Sequence, residues 1–295
     1  MEIGFLGFGE AARAFHETLS GHDSSLGFSG YDLLLDAQGA EGACGAAMRA
    51  RSIVVAANPE ALARRADWII SAVTADQSAA AAVAVAPYLR SGQTFIDINS
   101  VSPDTKRASC AAIERSGATY LDMAVMAPVH PLGHRTPVLI AGADAEALAA
   151  RLTELDFAFG IEGAHAGAAT AVKMIRSLFV KGLEALTVET LLAADAAGCF
   201  DTILASISRS YPGLGWPDFA AYQFERTTRH GLRRAAEMEE SARTLGGLGR
   251  SQPLAQEIAA VQRRMGARDP EQAESLERVR ALLARSVAAG NTGEP

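Results

Sequence analysis

Ile3-Gly4-Phe5-Leu6-Gly7-Phe8-Gly9-Glu10-Ala11-Ala12 opens the chain and decides its fold. The apolar run before Gly7 is typical of a buried strand, and an amphipathic helical pattern follows the turn. In this Gly-x-Gly-x-x-Ala turn, Gly7 permits a sharp bend, Gly9 lets the backbone approach a pyrophosphate, and Ala12 allows the helix to pack closely on the strand. We therefore predict a dinucleotide site here, with the Glu10 side chain directed to solvent. The residues predicted to bind the cofactor are Gly7, Phe8, Gly9, Glu10 and Ala11.

The sequence up to about residue 162 alternates short apolar runs with alanine-rich stretches of helical length. Such alternation is typical of βαβ units and of a mainly parallel sheet covered on both faces. One helix start is explicit, because Ser102-Pro103-Asp104 supplies an N-cap, a proline at the first helical position and an acid in the first turn. The strands predicted from the apolar runs cover residues 3–6, 26–31, 53–56, 68–73, 94–98, 119–122 and 138–141.

From about residue 163 the pattern becomes helical. Residues 166–196 contain no proline and keep helical spacing, which predicts a helix of ~45 Å at 1.5 Å per residue. Further helical segments follow, and no strand pattern returns. The predicted fold is an α/β Rossmann domain over residues 1–162, followed by an all-α domain over residues 163–295, with a long interdomain helix.

The composition restricts the partners. The chain has 27 Lys and Arg against 34 Asp and Glu, a net charge of −7, which argues against nucleic acid because a nucleic-acid site needs a basic face. The N-terminus lacks the basic segment of a signal peptide, and the small-apolar run at residues 79–86 is too short to span a bilayer, so we predict no membrane partner. Cys44, Cys110 and Cys199 form no motif, which favours a cytoplasmic location over a disulfide framework.

No metal site is predicted. His130 and His134 bracket Pro131-Leu132-Gly133, but two histidines without a third ligand nearby are weak evidence for a metal. We expect both histidines in a solvent-exposed loop.

Three polar residues follow predicted strands and extend the cofactor site. Asp32 stands 23 residues after Gly9. This is close to the ~20 at which an acid binds the adenosine ribose and disfavours the 2′-phosphate of NADP. NAD is therefore preferred over NADP, and Asp36 is a second candidate for the same role. Thr74 is predicted either to contact the cofactor or to cap a helix, and Asn99 to contact cofactor or substrate at a strand's carboxyl end.

Lys173 is the candidate for proton transfer. The chain has only three lysines, Lys106, Lys173 and Lys181, and Lys173 follows a run of small residues at the start of the long helix. A lysine desolvated near an oxidised nicotinamide has a lowered pKa and can accept a proton from a substrate hydroxyl. The alternative is a lysine whose ammonium reaches solvent past an apolar surface. Ser177, four residues later, lies on the same helical face.

Together these features resemble the β-hydroxyacid dehydrogenase superfamily, which includes 3-hydroxyisobutyrate and 6-phosphogluconate dehydrogenases. The matching motifs occur in the same order as in the family, along nearly the whole chain. It implies that residues 97–103 lie beside the nicotinamide, that residues 120–128 replace the family's substrate loop, and that Lys173 is the catalytic general acid/base. The motifs that carry it are residues 7–12, Asp97-Ile98-Asn99-Ser100-Val101-Ser102-Pro103, Tyr120-Leu121-Asp122-Met123-Ala124-Val125-Met126-Ala127-Pro128, residues 167–173 and His230-Gly231-Leu232-Arg233-Arg234.

Residues 173–177, Lys181-Gly182 and residues 229–240 resemble a poorly characterised branch of the family with its own C-terminal helical domain. Other segments depart from the family pattern. Met126-Ala127-Pro128 replaces the family's Ser-Gly-Gly, removing a hydroxyl and a backbone donor, which favours a less polar substrate than a sugar phosphate. Ser177 replaces the family's asparagine but keeps one donor. His230 occupies the segment of the family's Lys-Asp pair, although it is also typical of a surface histidine on an arginine-rich helix, and Arg233 and Arg234 either face solvent or clamp an anion.

The sequence thus predicts an NAD(P)-dependent dehydrogenase or reductase acting on CH–OH groups of a small-molecule alcohol or β-hydroxy acid. The resemblance also implies a homodimer. Two alternatives stay open: an imine or enamine reductase on the same scaffold, and a non-catalytic dinucleotide-binding regulator. Lys173 and Ser177 are the predicted catalytic residues. The predicted substrate-binding residues are Ser100, Met126, Ala127, Pro128, Ser177 and His230.

Overall fold

An eight-stranded sheet organises the first part of the molecule. In the computed structural model, which describes residues 1–290, every neighbouring pair of strands is parallel except β6 with β7. The spatial order is β3-β2-β1-β4-β5-β6-β7-β8, so the chain reverses direction across the sheet between β1 and β4. The strands are β1 (Glu2–Leu6), β2 (Gly27–Tyr31), β3 (Val54–Val55), β4 (Trp68–Ser71), β5 (Thr94–Asp97), β6 (Thr119–Val125), β7 (Val138–Ala141) and β8 (Phe159–Gly163).

This sheet confirms the predicted α/β fold and corrects several strand bounds. β8 was not predicted, because its two glycines and half-buried side chains lack the apolar run of a central strand. β3 has only two residues where 53–56 was predicted. β6 continues to Val125, beyond the predicted end at Asp122, because residues 122–125 pair with the antiparallel strand β7.

Helices cover both faces of the sheet, as strands buried on both sides require. The first, α1, begins after Gly9 and buries Ala12, Phe15 and Leu19, as the helical spacing predicted. Another, α6, begins after Ser102, whose hydroxyl accepts from Thr105 N, and this confirms the predicted N-cap. The helices are α1 (Glu10–His22), α2 (Leu34–Gln38), α3 (Ala43–Arg49), α4 (Pro59–Arg65), α5 (Ser78–Val85), α6 (Pro103–Glu114) and α7 (Ala145–Glu154).

The remainder of the described chain is helical. The predicted long helix is confirmed as α8, which has 29 residues. Within residues 164–290 no strand is present, in agreement with the predicted all-α region. The helices are α8 (Ala168–Ala196), α9 (Phe200–Ser210), α10 (Asp218–Gly247), α11 (Pro253–Gly266) and α12 (Pro270–Gly290).

The chain forms two compact units, Met1–Met174 and Ile175–Pro295, each with its own apolar core. The division falls within α8, about two turns after its start. The predicted domains, 1–162 and 163–295, stay a prediction, and residues 291–295 of the second lie outside the described residues. Along residues 1–290 the structure contains no helix with the length and apolar character needed to cross a bilayer.

Candidate active site

The turn between β1 and α1 forms an open cradle. Gly7 has φ +88°, and a Cβ there would lie 2.6 Å from the Ala72 carbonyl oxygen, so only glycine fits. An ideal Cβ on Gly9 meets no atom of the described chain within 4 Å. The first backbone N–H groups of α1 have no acceptor within the helix and carry its positive dipole end. This cradle fits a dinucleotide pyrophosphate, and the Glu10 side chain is exposed, as predicted.

Asp32 lies at the carboxyl end of β2 and braces the cradle. Its Oδ2 accepts from Phe8 N at 2.8 Å, and its Oδ1 accepts from Leu34 N at 2.9 Å. The half-buried carboxylate keeps further lone pairs for a ribose hydroxyl. Asp36 is exposed, and its carboxylate accepts from the Tyr31 hydroxyl at 2.6 Å. Burial and the Asp36 hydrogen bond raise the pKa of Tyr31 well above its ordinary value.

Asn99 ties the ends of two strands together. Its Oδ1 accepts from Val73 N at 2.8 Å, and its Nδ2 donates to Ser71 Oγ at 2.9 Å and Ser78 Oγ at 3.2 Å. Because both of its amide hydrogens are engaged, the Asn99 side chain holds the ends of β4 and β5 in place. Its predicted contact with the cofactor stays a prediction.

Thr74 is exposed just after β4. A hydrogen bond from its side chain contributes most to lowering the pKa of Asp76. Its predicted cofactor contact stays a prediction. The alternative capping role is wrong, because the Thr74 hydroxyl makes no capping hydrogen bond to the short 3-10 helix that follows.

The Lys173 side chain reaches the end of β5. Its Nζ donates to Ser100 Oγ at 2.7 Å, although Lys173 lies on α8 and Ser100 follows β5. Lys173 is half-buried, so its amine is partly desolvated but not sealed from solvent. The structure thus brings together two of the predicted site residues at the carboxyl edge of the sheet, where ligands bind in open α/β folds.

Asp122 orients the helix that carries Lys173. Its Oδ2 accepts from Gly167 N at 3.0 Å and Thr170 N at 3.1 Å, and its Oδ1 accepts from Thr170 Oγ1 at 2.8 Å. These bonds satisfy donors at the start of α8 and place a carboxylate at its positive end. Asp122 therefore orders the start of α8.

Lys106 lies beneath this edge with both Asp97 and Asp122. Its Nζ is 2.8 Å from Asp97 Oδ1 and 3.4 Å from Asp122 Oδ1, and all three side chains are buried. Tyr120 donates its hydroxyl to Asp97 Oδ2 at 2.8 Å. Burial, followed by the charges of Asp97 and Asp122, raises the pKa of Tyr120 well above its ordinary value, so it stays a neutral donor. We call Lys106, Asp97, Asp122, Tyr120 and Thr170 the Lys106 cluster.

Lys106 was not among the predicted site residues, and Asp97 was predicted only as part of the segment beside the nicotinamide, without a partner. An ion pair between different elements has no characteristic spacing along the chain. One signal was present, because Lys106 shares the core face of α6 with Ser109 and Ile113 in a chain that contains only three lysines. A charged residue on an apolar helical face calls for a buried partner.

The replaced substrate loop follows β6. Met126 is half-buried and packs on the small cluster of Ala124, Ala141 and Ala169, next to the beginning of α8. Ala127 and Pro128 are exposed. The loop therefore presents an apolar surface near the beginning of α8, the helix that carries Lys173.

In the second unit, Ser177 is buried and accepts from Lys181 Nζ at 3.1 Å. Lys181 in turn pairs with Glu237 Oε2 at 2.9 Å. A hydroxyl that accepts from an ammonium keeps its own proton available for donation. Ser177 thus retains the donor that its predicted role requires.

His230 lies half-buried on α10 in the second unit. Burial is the main cause that lowers its pKa, followed by the positive charges of Arg226, Arg233, Arg229 and Arg234. Arg234 itself pairs with the buried carboxylate of Glu184, its Nε lying 2.9 Å from Oε2. Arg234 is therefore a structural residue of this unit. The expectation that it faces solvent is wrong, because its side chain is buried and its guanidinium already binds the Glu184 carboxylate.

The prediction that both loop histidines face solvent is confirmed for His130 and wrong for His134. His130 is exposed, but His134 is fully buried against α1, where its Nδ1 lies 2.7 Å from Thr18 Oγ1. The pattern could not show this, because the contact joins residues far apart in sequence. Within residues 1–290 no three His, Cys, Asp or Glu side chains are grouped to hold a metal ion.

Comparison with known proteins gives matches along most of the chain. Residues 2–156 match the family described as the NAD binding domain of 6-phosphogluconate dehydrogenase, and residues 194–265 match a domain of unknown function, DUF1932. A conserved hypothetical protein from Sinorhizobium meliloti is 36% identical, with a TM-score of 0.73 over 90% of this chain and 89% of that one.

Two further solved structures share the fold. A conserved protein of unknown function, MTH1747, described as structurally similar to 3-hydroxyacid dehydrogenases, is 26% identical, with a TM-score of 0.70 over 90% of this chain and 96% of that one. The 3-hydroxyisobutyrate dehydrogenase of Mycobacterium tuberculosis, solved with L-serine, has a TM-score of 0.70 at 21% identity, over 90% of this chain and 94% of that one.

Proposed function

Because the chain belongs to the family built on the NAD binding domain of 6-phosphogluconate dehydrogenase, we propose that it is a dehydrogenase of alcohols or β-hydroxy acids in which Lys173 exchanges the proton. In the oxidation, the carbinol C–H bond breaks and its electron pair leaves as hydride. The hydroxyl proton passes to the neutral amine of Lys173, and a carbonyl remains. When bound, the nicotinamide ring supplies the hydride acceptor.

The observation that carries this proposal is the hydrogen bond from Lys173 Nζ to Ser100 Oγ at 2.7 Å. It brings a basic amine and a hydroxyl to the carboxyl edge of the sheet that also carries the dinucleotide cradle. An amine that is half-buried there can exchange a proton while its orientation is fixed. Ser100 holds the amine and offers a second hydrogen bond to the same substrate oxygen.

We propose NAD as the cofactor over NADP. Asp32 would accept from the ribose hydroxyls, and its charge, together with that of Asp36, would repel a 2′-phosphate. The pyrophosphate would lie on the cradle from Gly7 to Ala11.

For the substrate, the apolar Met126-Ala127-Pro128 loop favours a body less polar than a sugar phosphate. Ser177 would donate to a polar group of the substrate, and His230 stays a candidate contact. The homodimer and the cytoplasmic location are part of the proposal.

The decisive experiment follows nicotinamide absorbance with NAD and NADP against a panel of β-hydroxy acids and secondary alcohols. Wild type, Lys173→Arg and Lys173→Met are compared at one pH near neutrality. Arginine keeps the positive charge but stays protonated in this range, so both variants should lose turnover if the amine exchanges the proton. Dinucleotide binding, followed by protein fluorescence, should be retained in both variants.

Other outcomes contradict the proposal in distinct ways. Full activity of Lys173→Met would remove the lysine from the mechanism. Turnover of cyclic imines but of no alcohol would favour an imine reductase. Tight dinucleotide binding without turnover of either class would favour a non-catalytic regulator.

A further inference from the structure

Lys106 is a buried cation held by two carboxylates from different strands. Its Nζ lies 2.8 Å from Asp97 Oδ1 and 3.4 Å from Asp122 Oδ1, and it also donates to the Asp97 carbonyl oxygen at 2.6 Å. The three donors of the ammonium are thus directed at the end of β5 and the middle of β6. An unpaired charge would be strongly unfavourable at this depth, so the position of each of these side chains depends on the others.

The first set of contacts from the Lys106 cluster, through Asp97, leads to Ser100. The carboxylate of Asp97 accepts from Asn99 N at 2.9 Å, which fixes the turn by which the chain leaves β5. Tyr120 holds the other carboxylate oxygen of Asp97. Ser100 is the next residue after Asn99, so the orientation of Asp97 determines where the Ser100 hydroxyl is presented.

The second set of contacts, through Asp122, leads to Lys173. Asp122 receives both N–H groups and the hydroxyl that Gly167 and Thr170 direct at it. Gly167 has φ +93°, and a Cβ there would lie 2.9 Å from the Pro103 carbonyl oxygen, so α8 begins close against α6. Lys173 follows Thr170 by about one helical turn, so the position of Asp122 sets the direction from which Lys173 approaches.

We propose that Lys106 is a positioning residue that holds Lys173 against Ser100 by joining Asp97 to Asp122. The two sets of contacts meet in the hydrogen bond from Lys173 to Ser100, which closes a ring of contacts through β5, β6, α6 and α8. The functional meaning of this ring rests on the proposed role of Lys173 in proton transfer.

The charge of Lys106, and not only its volume, is needed for this task. Without the ammonium, Asp97 and Asp122 would be two buried carboxylates facing a shared space, and like charges repel strongly in a poorly polarisable interior. Asp122 would keep the donors of α8, whereas Asp97 would keep the Tyr120 hydroxyl and Asn99 N–H. The strand end that carries Ser100 would then separate from the helix that carries Lys173.

The test uses lysine labelled with 13C at the ε-carbon, because three lysines give three assignable NMR signals. Loss of a signal in Lys173→Arg assigns Lys173, and Ser100→Ala shows the shift that it takes without its hydroxyl partner. In Lys106→Met we expect the Lys173 signal to move to the Ser100→Ala position while NAD binding is retained. Ser109→Ala, a buried control on the same helix, should leave the signal at its wild-type position.

A Lys106→Met protein that binds NAD with Lys173 at its wild-type shift would overturn the proposal. If that variant does not fold, Thr170→Val and Thr170→Ser replace it. Valine removes the hydroxyl bound to Asp122, whereas serine keeps it, so only valine should move the Lys173 signal; equal spectra of the two would also overturn it. These measurements need no turnover, so failure of the proposed dehydrogenase activity is distinguishable from failure of the positioning role.

Discussion

At the scale of single residues, His134 makes the stability of the protein depend on pH. Burial is the main cause that lowers the pKa of His134 to about 4. Between about pH 6.5 and pH 4 the unfolded chain therefore binds a proton that the folded protein excludes. The free energy of unfolding should fall as the pH falls through this window, with a contribution on the order of 3 kcal/mol from this residue.

His134→Asn isolates this contribution, because asparagine can keep the hydrogen bond to Thr18 but does not titrate. The difference in unfolding free energy between wild type and variant, measured by denaturant titration from pH 7 to pH 4, should shrink or reverse on acidification. His130→Asn is the matched control, since His130 is exposed in the same loop. A constant difference between wild type and His134→Asn across this range would contradict the assignment.

Asp32 and Asp36 make separate predictions for cofactor preference. Asp32→Asn removes the charge at the end of β2 while leaving one oxygen to accept from Phe8 N. We expect the ratio of NADP to NAD affinity to rise by about tenfold, because repulsion between a carboxylate and a nearby phosphate costs on the order of 1–2 kcal/mol near a protein surface. Asp36→Asn should change the ratio less. Fluorescence titration with both dinucleotides measures it, and a larger effect at Asp36 would transfer the role to that residue.

The residues of the site differ in how far the sequence could predict them. The sharp turn at Gly7 and the placement of Asp32 at the end of β2 were predictable, because the first depends on a local turn and the second on a spacing from it. Lys106, Asp97 and the buried state of His134 depend on contacts between distant segments. A single sequence shows such pairings only indirectly, for example as a lysine on an otherwise apolar helical face.

At the scale of secondary structure, the packing of α10 on α11 depends on two glycines. A Cβ on Gly231 would lie 2.7 Å from Gly266 N and would also meet the Gln262 carbonyl oxygen. Gly231→Ala should therefore force the two helices apart and lower the free energy of unfolding by about 1–3 kcal/mol.

Gly21→Ala is the matched helical control, because a Cβ there meets no atom of the described chain within 4 Å. Alanine in α1 should be neutral or stabilise by about 0.5–1 kcal/mol. Thermal unfolding of both variants by circular dichroism compares them. Equal unfolding midpoints for Gly231→Ala and Gly21→Ala would contradict the prediction, because they would show that α10 and α11 accommodate the added Cβ without loss of stability.

The elements themselves show where sequence patterns are sufficient. The absence of proline and the steady apolar spacing of α8 predict it closely, since both signals are local. β8 escaped prediction because an edge strand with two glycines shows neither an apolar run nor a clear alternation. β3 is shorter than its apolar segment because only Ser29 and Gly30 of β2 pair with it.

At the scale of the whole molecule, α8 exposes an apolar face in the second unit. Ile175, Phe179 and Leu186 are 49%, 69% and 66% exposed, and their spacing places them on one side of the helix. Burying a large apolar side chain is worth about 1.5–3 kcal/mol, and in a two-fold dimer each contact occurs twice. We therefore expect a homodimer with twice the chain mass of 30.8 kDa, joined through this face.

Light scattering over a range of concentrations measures the mass of wild type, Phe179→Glu and Val83→Glu. The glutamate at residue 179 should shift the mass toward the monomer, because it would place a carboxylate from each subunit in the apolar contact. Val83, on α5 of the first unit, is 60% exposed and serves as a matched apolar control. A dimer that persists equally in both variants would move the interface away from α8, and a monomeric wild type at working concentrations would refute the dimer itself.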